Sequence, residues 1–208
     1  MKKGNRIGVM GGTFDPPHLA HTIPVEIAAK EFDLDTVSFV PALIPPHKQS
    51  KEQTDPFHRM AMLALAVKPY PSFRISTLEL MRRDVSFTVQ TIKEIKKTLT
   101  EQDRLYFILG SDSFLELSFW YGPRELLQLC ELIIINRGNG TDELKNNLAQ
   151  LENNFQLDLQ QKVHTASSRF LPFSSTQIRE FLRSGKDVSG MLMPEVESYI
   201  HKHSLYRR

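Results

Sequence analysis

The sequence predicts an α/β fold: a doubly wound parallel sheet of Rossmann-like type with a small helical part at its C-terminal end. Two observations carry this. Short apolar runs alternate along the chain with segments of helical periodicity, as in βαβ units. Several of those runs end in Gly, Asn or charged residues, as strands do where a parallel sheet meets solvent.

The apolar runs are Ile7–Met10, Thr36–Pro41, Phe73–Ser76, Arg104–Leu109, Leu132–Ile135 and Lys162–Thr165. Each is too short for a helix and reads as a strand. Between them lie helical patterns. Leu19–Phe32 is amphipathic. Pro24 interrupts it and would remove one helical hydrogen bond, so the helix is expected to start near Ile23 or to kink, with His21 in the lead-in. Pro56–Val67 has Asp55 as N-cap, Pro56 at the first helical position, and Met60, Leu63, Ala64 and Val67 along one face. Thr88–Leu99 aligns Val89, Ile92, Ile95 and Leu99. Asp142–Leu151, Ser175–Arg183 and Glu195–His201 complete the helices. Residues 1–208 are expected to form one domain, with about 172–208 as its C-terminal helical part.

Composition narrows the function classes. The 208 residues are 40% hydrophobic and 24% charged, with a net charge of +2. That balance suits a soluble globular protein and gives no basic block of the kind a nucleic-acid partner requires. No apolar run approaches a membrane span, and the first residues lack a signal-peptide core, so the expected location is the cytoplasm. The single cysteine, Cys130, excludes an internal disulfide and reads as a small core residue. Oligomeric state is left open, a homo-oligomer included.

In doubly wound sheets, ligands bind beyond the carboxyl ends of the strands. Four segments fall there: the turn after the first strand, Pro41–Lys48, Gly110-Ser111-Asp112 and Arg137. The first is GGTFDPPHLAH at Gly11–His21. Gly11 and Gly12 permit a tight turn and close approach of a ligand, and a helix start behind them offers N–H groups to an anion. Asp15 is held extended by Pro16. His18 and His21, three apart, can donate to phosphate oxygens. A lone histidine is usually a surface or capping residue, and a zinc site would need a third ligand that is not nearby. The turn is neither a GxGxxG nor a Walker A pattern. Ser175 by itself would be explained as an ordinary helix cap, Trp120 as a core aromatic and Lys48 as a solvated lysine. Arg137 fits a phosphate contact and a surface pair equally well.

GGTFDPPHLAH resembles the signature turn of the HxGH nucleotidyltransferase superfamily, with Ala20 in place of the usual Gly. FSSTQIR at Phe173–Arg179 resembles the same superfamily's second motif. PALIPPHK, the spaced Glu79 and Arg82, SFTVQT at Ser86–Thr91, GSDSF with Trp120-Tyr121, and the ending MLMPEVESYIHKHSLY are similar to bacterial nicotinate mononucleotide adenylyltransferases. Phe87, Asp84 and Gln90 stand where that family usually has Tyr, Gly and Asp.

The resemblance implies adenylyl transfer from ATP to a pyridine mononucleotide, with Mg²⁺ carried mainly on the ATP phosphates and no protein metal cage. It implies His18, His21 and Arg179 as catalytic residues. The ATP site would be Gly11, Gly12, Thr13, Phe14, Asp15, His18, His21, Gly110, Asp112, Arg137, Ser174, Ser175 and Arg179. The mononucleotide site would be Lys48, Thr88, Trp120 and Tyr121. A relative that adenylylates another phosphate, such as phosphopantetheine, and a non-catalytic nucleotide binder are the competing readings.

Overall fold

The computed structural model describes residues 4–44, 53–136, 138, 140–167 and 171–207. Its centre is a six-stranded, wholly parallel sheet in the order β3-β2-β1-β4-β5-β6. The strands are β1 (Arg6–Gly12), β2 (Thr36–Pro41), β3 (Phe73–Ile75), β4 (Arg104–Gly110), β5 (Glu131–Ile135) and β6 (Val163–Ala166). All six expected strands form, with ends shifted by a few residues. The order reverses between β1 and β4, so their carboxyl ends make the topological switch point where an open sheet leaves a crevice.

Helices cover both faces. On one face α1 (Leu19–Glu31) and α2 (Pro56–Val67) bring Val25, Ala28, Ala29, Leu63 and Val67 against Phe39, Ile108, Ile133 and Ile135. On the other, α4 (Thr88–Lys96), α6 (Pro123–Leu129) and α7 (Thr141–Phe155) bring Val89, Ile92, Leu126, Leu127 and Leu144 against Phe107, Leu109, Leu132 and Ile134. Successive residues of β4 and β5 therefore enter opposite cores. That is why their sequences are unbroken apolar runs rather than alternating ones. Three short segments complete the strand connections: α3 (Leu78–Arg82), α5 (Ser111–Leu115) and a 3₁₀ turn at Leu117–Phe119.

The C-terminal helices α8 (Ser175–Arg183) and α9 (Pro194–Lys202) build a third core on the back of α2. Met62 and Ala66 meet Ile178, Leu192, Val196 and Ile200 there. This rotates the expected apolar face of α2. Its buried residues are Arg59, Met62, Leu63, Ala66 and Val67, and Ala64 is exposed. The helix is wedged between sheet and C-terminal helices and needs two stripes, not one. Its start follows expectation: Asp55 accepts from the Phe57 N–H at 2.8 Å and Pro56 occupies the first helical position.

The late helix start expected from Pro24 is corrected. α1 begins at Leu19 and runs through Pro24, which is buried. His21 thus stands in the first turn and not in the lead-in. Pro24 lacks only the N–H that would reach the Ala20 carbonyl, and the buried Ala20, Thr22, Val25 and Ala28 hold the helix in place despite that loss. Among the described residues no helix is long and apolar enough to cross a membrane.

Two outcomes follow from this packing. Ile133 is fully buried between neighbouring strands and α1. Ile133→Ala should lower the free energy of unfolding by about 2–5 kcal/mol in a denaturant titration, with little change in slope. Cys130 is 6% exposed, and burial pushes its thiol up to about 12. It should stay unreacted with a thiol reagent at pH 8 in the folded protein and react once the chain is unfolded. Equal rates in the two states would contradict the buried placement.

Candidate active site

The exit of β1 is shaped by a residue that the glycines conceal. Phe14, not Gly11 or Gly12, takes the left-handed backbone conformation, with φ of 50°. Its ring is buried and lies under Gly12, where an added Cβ would sit 2.9 Å from the ring. A side chain at residue 12 would therefore have to displace that buried ring. A Cβ on Gly11 would meet nothing nearer than 3.9 Å, so Gly11 keeps an open approach to the backbone. Both line a cavity, and so does Thr13. The tight turn expected of the glycine pair is made by Phe14, and the glycines supply clearance.

His18 follows as the N-cap of α1 in extended conformation, 4% exposed. The Nδ1 of His21 accepts the His18 backbone N–H at 3.2 Å. An Nδ1 that accepts leaves the proton of the neutral ring on Nε2, where it can donate to a ligand. The two imidazoles stack with centroids 3.7 Å apart, between the edges of Phe14 and Phe173. The N–H of Leu19 is bonded to the Met191 carbonyl at 2.9 Å. The start of α1 is thus shared between the site and the C-terminal part.

The second motif docks on the first across about three-quarters of the chain. Ser175 Oγ donates to the Pro16 carbonyl at 2.9 Å, and Arg179 Nη1 donates to the Asp15 carbonyl at 2.7 Å. Ser174 caps α8 by accepting from the Gln177 N–H at 3.3 Å. Asp15 has its carboxylate turned inward, 5% exposed. It accepts from the Tyr206 hydroxyl at 2.6 Å and from the Thr54 N–H at 3.2 Å. Beside it lies Arg59, 1% exposed, which donates to the backbone carbonyls of Thr13, Ala42 and Thr54 at 2.7–3.0 Å. Burial pulls the Arg59 guanidinium below the usual arginine range, and the Asp15 charge opposes that shift. Burial first and Asp15 second raise the Tyr206 phenol above the usual tyrosine value, so it serves as a neutral donor.

The cavity holds about 570 Å³ between the β1 exit, the start of α4 and the segment after α5. Phe87 caps α4 and Thr88 is its first residue, so the positive end of that helix faces the space. Trp120 stands half-buried with its ring edge-on to Phe107, 6.2 Å between centroids. Tyr121 is exposed and packs on Phe87 at 4.5 Å. Glu79 is buried in the wall and accepts the Thr91 hydroxyl at 2.5 Å. Ser86 accepts the Leu43 N–H at 3.1 Å. Gly110 and Asp112 open α5 at the end of β4; Asp112 is exposed there, and its neighbour Ser113 lines the cavity. Lys48 and Arg137 lie outside the described residues. Among the described residues no group of three or more His, Cys, Asp or Glu side chains converges as a metal cage would.

Sequence reasoning did not select Arg59, Ser86 or Phe119 for the site. Arg59 had a usable signal: it falls at helical spacing with Met62, Leu63 and Ala66, a charge on an otherwise apolar face. Ser86 opens the SFTVQT segment, whose resemblance marks the region but not this residue, and Phe119 had no signal, because nothing local marks which loop residues meet across the cavity.

Comparison with known proteins places the fold in a family. A cytidylyltransferase-like family model matches residues 9–181. A probable nicotinate-nucleotide adenylyltransferase of Thermoanaerobacter sp. (strain X514) is 40% identical, covering 100% of this chain and 97% of its own. The nicotinate-nucleotide adenylyltransferase of Bacillus subtilis (strain 168) is 34% identical, covering 97% and 98%. Among solved structures, a Plasmodium falciparum nicotinic acid mononucleotide adenylyltransferase complexed with NaAD has the same fold, with a TM-score of 0.77, 21% identity and 97% of both chains covered. With both motifs joined at one sheet edge and the likeness running the whole length, the chain belongs to the cytidylyltransferase-like family and, within it, to the nicotinate-nucleotide adenylyltransferases.

Proposed function

We propose that this protein transfers the adenylyl group of ATP to nicotinate mononucleotide, giving nicotinate adenine dinucleotide (deamido-NAD) and pyrophosphate, as a step of NAD biosynthesis in the cytoplasm. The observation that carries this is the docking of Ser175 and Arg179 onto the Asp15-Pro16 backbone, which brings together the two segments expected to bind phosphate, next to the cavity-lining Gly11, Gly12 and Thr13. The chain would work as one nucleotidyltransferase domain, with residues 172–208 contributing Ser174, Ser175 and Arg179.

In this reading an oxygen of the mononucleotide 5′-phosphate attacks the α-phosphorus of ATP in line. The new P–O bond forms as the α–β anhydride bond breaks, and the electron pair leaves with pyrophosphate. The attacking phosphate has a second pKa of about 6, so it is largely ionised at neutral pH and needs no general base. No covalent intermediate is required. Catalysis is positioning and charge neutralisation. His18, the Nε2–H of His21, Lys48, Arg137 and the remaining N–H groups of Arg179 would surround the phosphates, with Ser174 and Ser175 at the α8 start. The backbone from Gly11 to Asp15 and Gly110 would border the nucleotide, and Asp112 would accept from its ribose. Mg²⁺ would be held chiefly by phosphate oxygens and water, in keeping with its preference for oxygen ligands and retained water.

Trp120 would stack on the pyridine ring, with Lys48 on the mononucleotide phosphate. The ring carboxylate would meet backbone amides near Thr88 and Tyr121. The start of α4 supports an acid over an amide there, since a helix N-terminus favours negative charge.

A pyrophosphate-release assay with Mg-ATP and a panel of acceptors tests the reaction. Nicotinate mononucleotide should give the highest turnover, and chelation of Mg²⁺ should abolish it. Equal turnover with the amide form would remove the acid preference, and preferred turnover with phosphopantetheine would favour the competing reading. His18→Ala should reduce kcat by about a hundredfold or more with only a small change in melting temperature. Trp120→Ala should act chiefly on the mononucleotide KM, raising it about tenfold. Parallel loss of activity and stability in His18→Ala would make that residue structural.

A further inference from the structure

We propose that the buried Arg59 and Asp15 and the half-buried Tyr206 form a positioning frame that sets the backbone of the nucleotide-binding turn, so that the last residues of the chain act on catalysis without touching substrate.

The Tyr206 hydroxyl bonds the Asp15 carboxylate, and Asp15 and Arg59 are linked through the backbone of Thr54. Arg59 reaches three separate segments: Thr13 after β1, Ala42 after β2 and Thr54 before α2. Thr13 and Ala42 line the cavity on its other side. One guanidinium thus fixes the spacing of two cavity walls through their carbonyl groups. A planar fork with several N–H donors suits this, and a lysine ammonium could not reach all three carbonyls from one position. Burial without these acceptors would be costly, so the carbonyls and the cation hold one another in place.

Asp15 extends the frame to the chain terminus. Its carboxylate takes the Tyr206 hydroxyl and the Thr54 N–H, while its own carbonyl takes Arg179. Thr54 is therefore held twice, once at its carbonyl by Arg59 and once at its N–H by Asp15. The side chain of Asp15 is committed to this frame, and only its backbone borders the turn. Tyr206 is kept within reach because Leu205 and Tyr206 pack on the α8–α9 core and the Leu205 N–H bonds the Ile200 carbonyl. The turn, the second motif and the C-terminus are thereby one mechanical unit.

This role rests on the adenylyl-transfer reading, which the turnover of the unaltered protein tests separately. Two variants test the frame: Tyr206→Phe, which removes one hydroxyl, and Arg59→Lys, which keeps the charge but not the fork. Each is followed by melting temperature, kcat, and KM for both substrates. A residue that only stabilises the fold would lower the active fraction, reducing kcat and leaving both KM values unchanged. The frame predicts something different. Tyr206→Phe should raise the ATP KM about threefold or more, with the mononucleotide KM unmoved. Arg59→Lys should lower kcat/KM for both substrates about tenfold or more at a temperature where circular dichroism shows it folded. If Arg59→Lys does not fold, the KM values of Tyr206→Phe decide. ATP and mononucleotide KM values both within twofold of the unaltered protein in Tyr206→Phe would overturn the proposal.

Discussion

A parallel sheet that is dry on both faces meets water only at its strand ends, and the geometry of this protein descends from that constraint. Residues such as Ile133 and Ile134 enter opposite cores, so neither face has room for a ligand. What remains is the edge, and the reversal of strand order between β1 and β4 opens a crevice there. The β1 exit, the start of α4 and the segment after α5 converge on that crevice.

Convergence alone would leave a loose site. Loops at a sheet edge carry backbone polar groups that need partners, and here those partners also position chemistry. The carbonyls of Thr13, Asp15 and Pro16 are each taken by a side chain from a distant element: Arg59, Arg179 and Ser175. The same bonds that satisfy the turn hold α8 against it. The C-terminal helices are thus tied to the site by hydrogen bonds and to α2 by the apolar packing of Met62 and Ala66 against Ile178 and Val196. Phosphate transfer asks for fixed donors more than for reactive groups, and a turn held from behind meets that need.

The cavity away from the turn is built differently. Its walls are aromatic and its polar features few: the α4 start, the buried Glu79 bonded to Thr91, and Ser86 tied to Leu43. Phe87 packs on Tyr121 there, so the position where relatives usually carry tyrosine keeps its ring contact without a hydroxyl. These contacts differ from the bonds of Ser175 and Arg179 to the turn, and Arg59 links the two regions through the Thr13 and Ala42 carbonyls.

Periodicity in the sequence was enough for the six strands and most helices, because burial on one or both faces imposes spacings of two or 3.6 residues that are visible locally. The short motifs at Gly11–His21 and Phe173–Arg179 marked the chemistry for a similar reason: each is a contiguous stretch whose turn or helix start needs those residue types. Tertiary structure decided the rest. Pro24 reads as a helix breaker locally, yet buried neighbours carry α1 through it. The left-handed residue of the turn is Phe14 and not a glycine, since its ring must fill the space under Gly12. The apolar face of α2 is rotated because a second core lies behind it. Arg59, Asp15 and Tyr206 come near one another only in the folded chain, the last two being 191 positions apart in sequence. Such contacts arise from the packing of distant elements, and no local pattern of residues encodes which carbonyl a buried guanidinium will find.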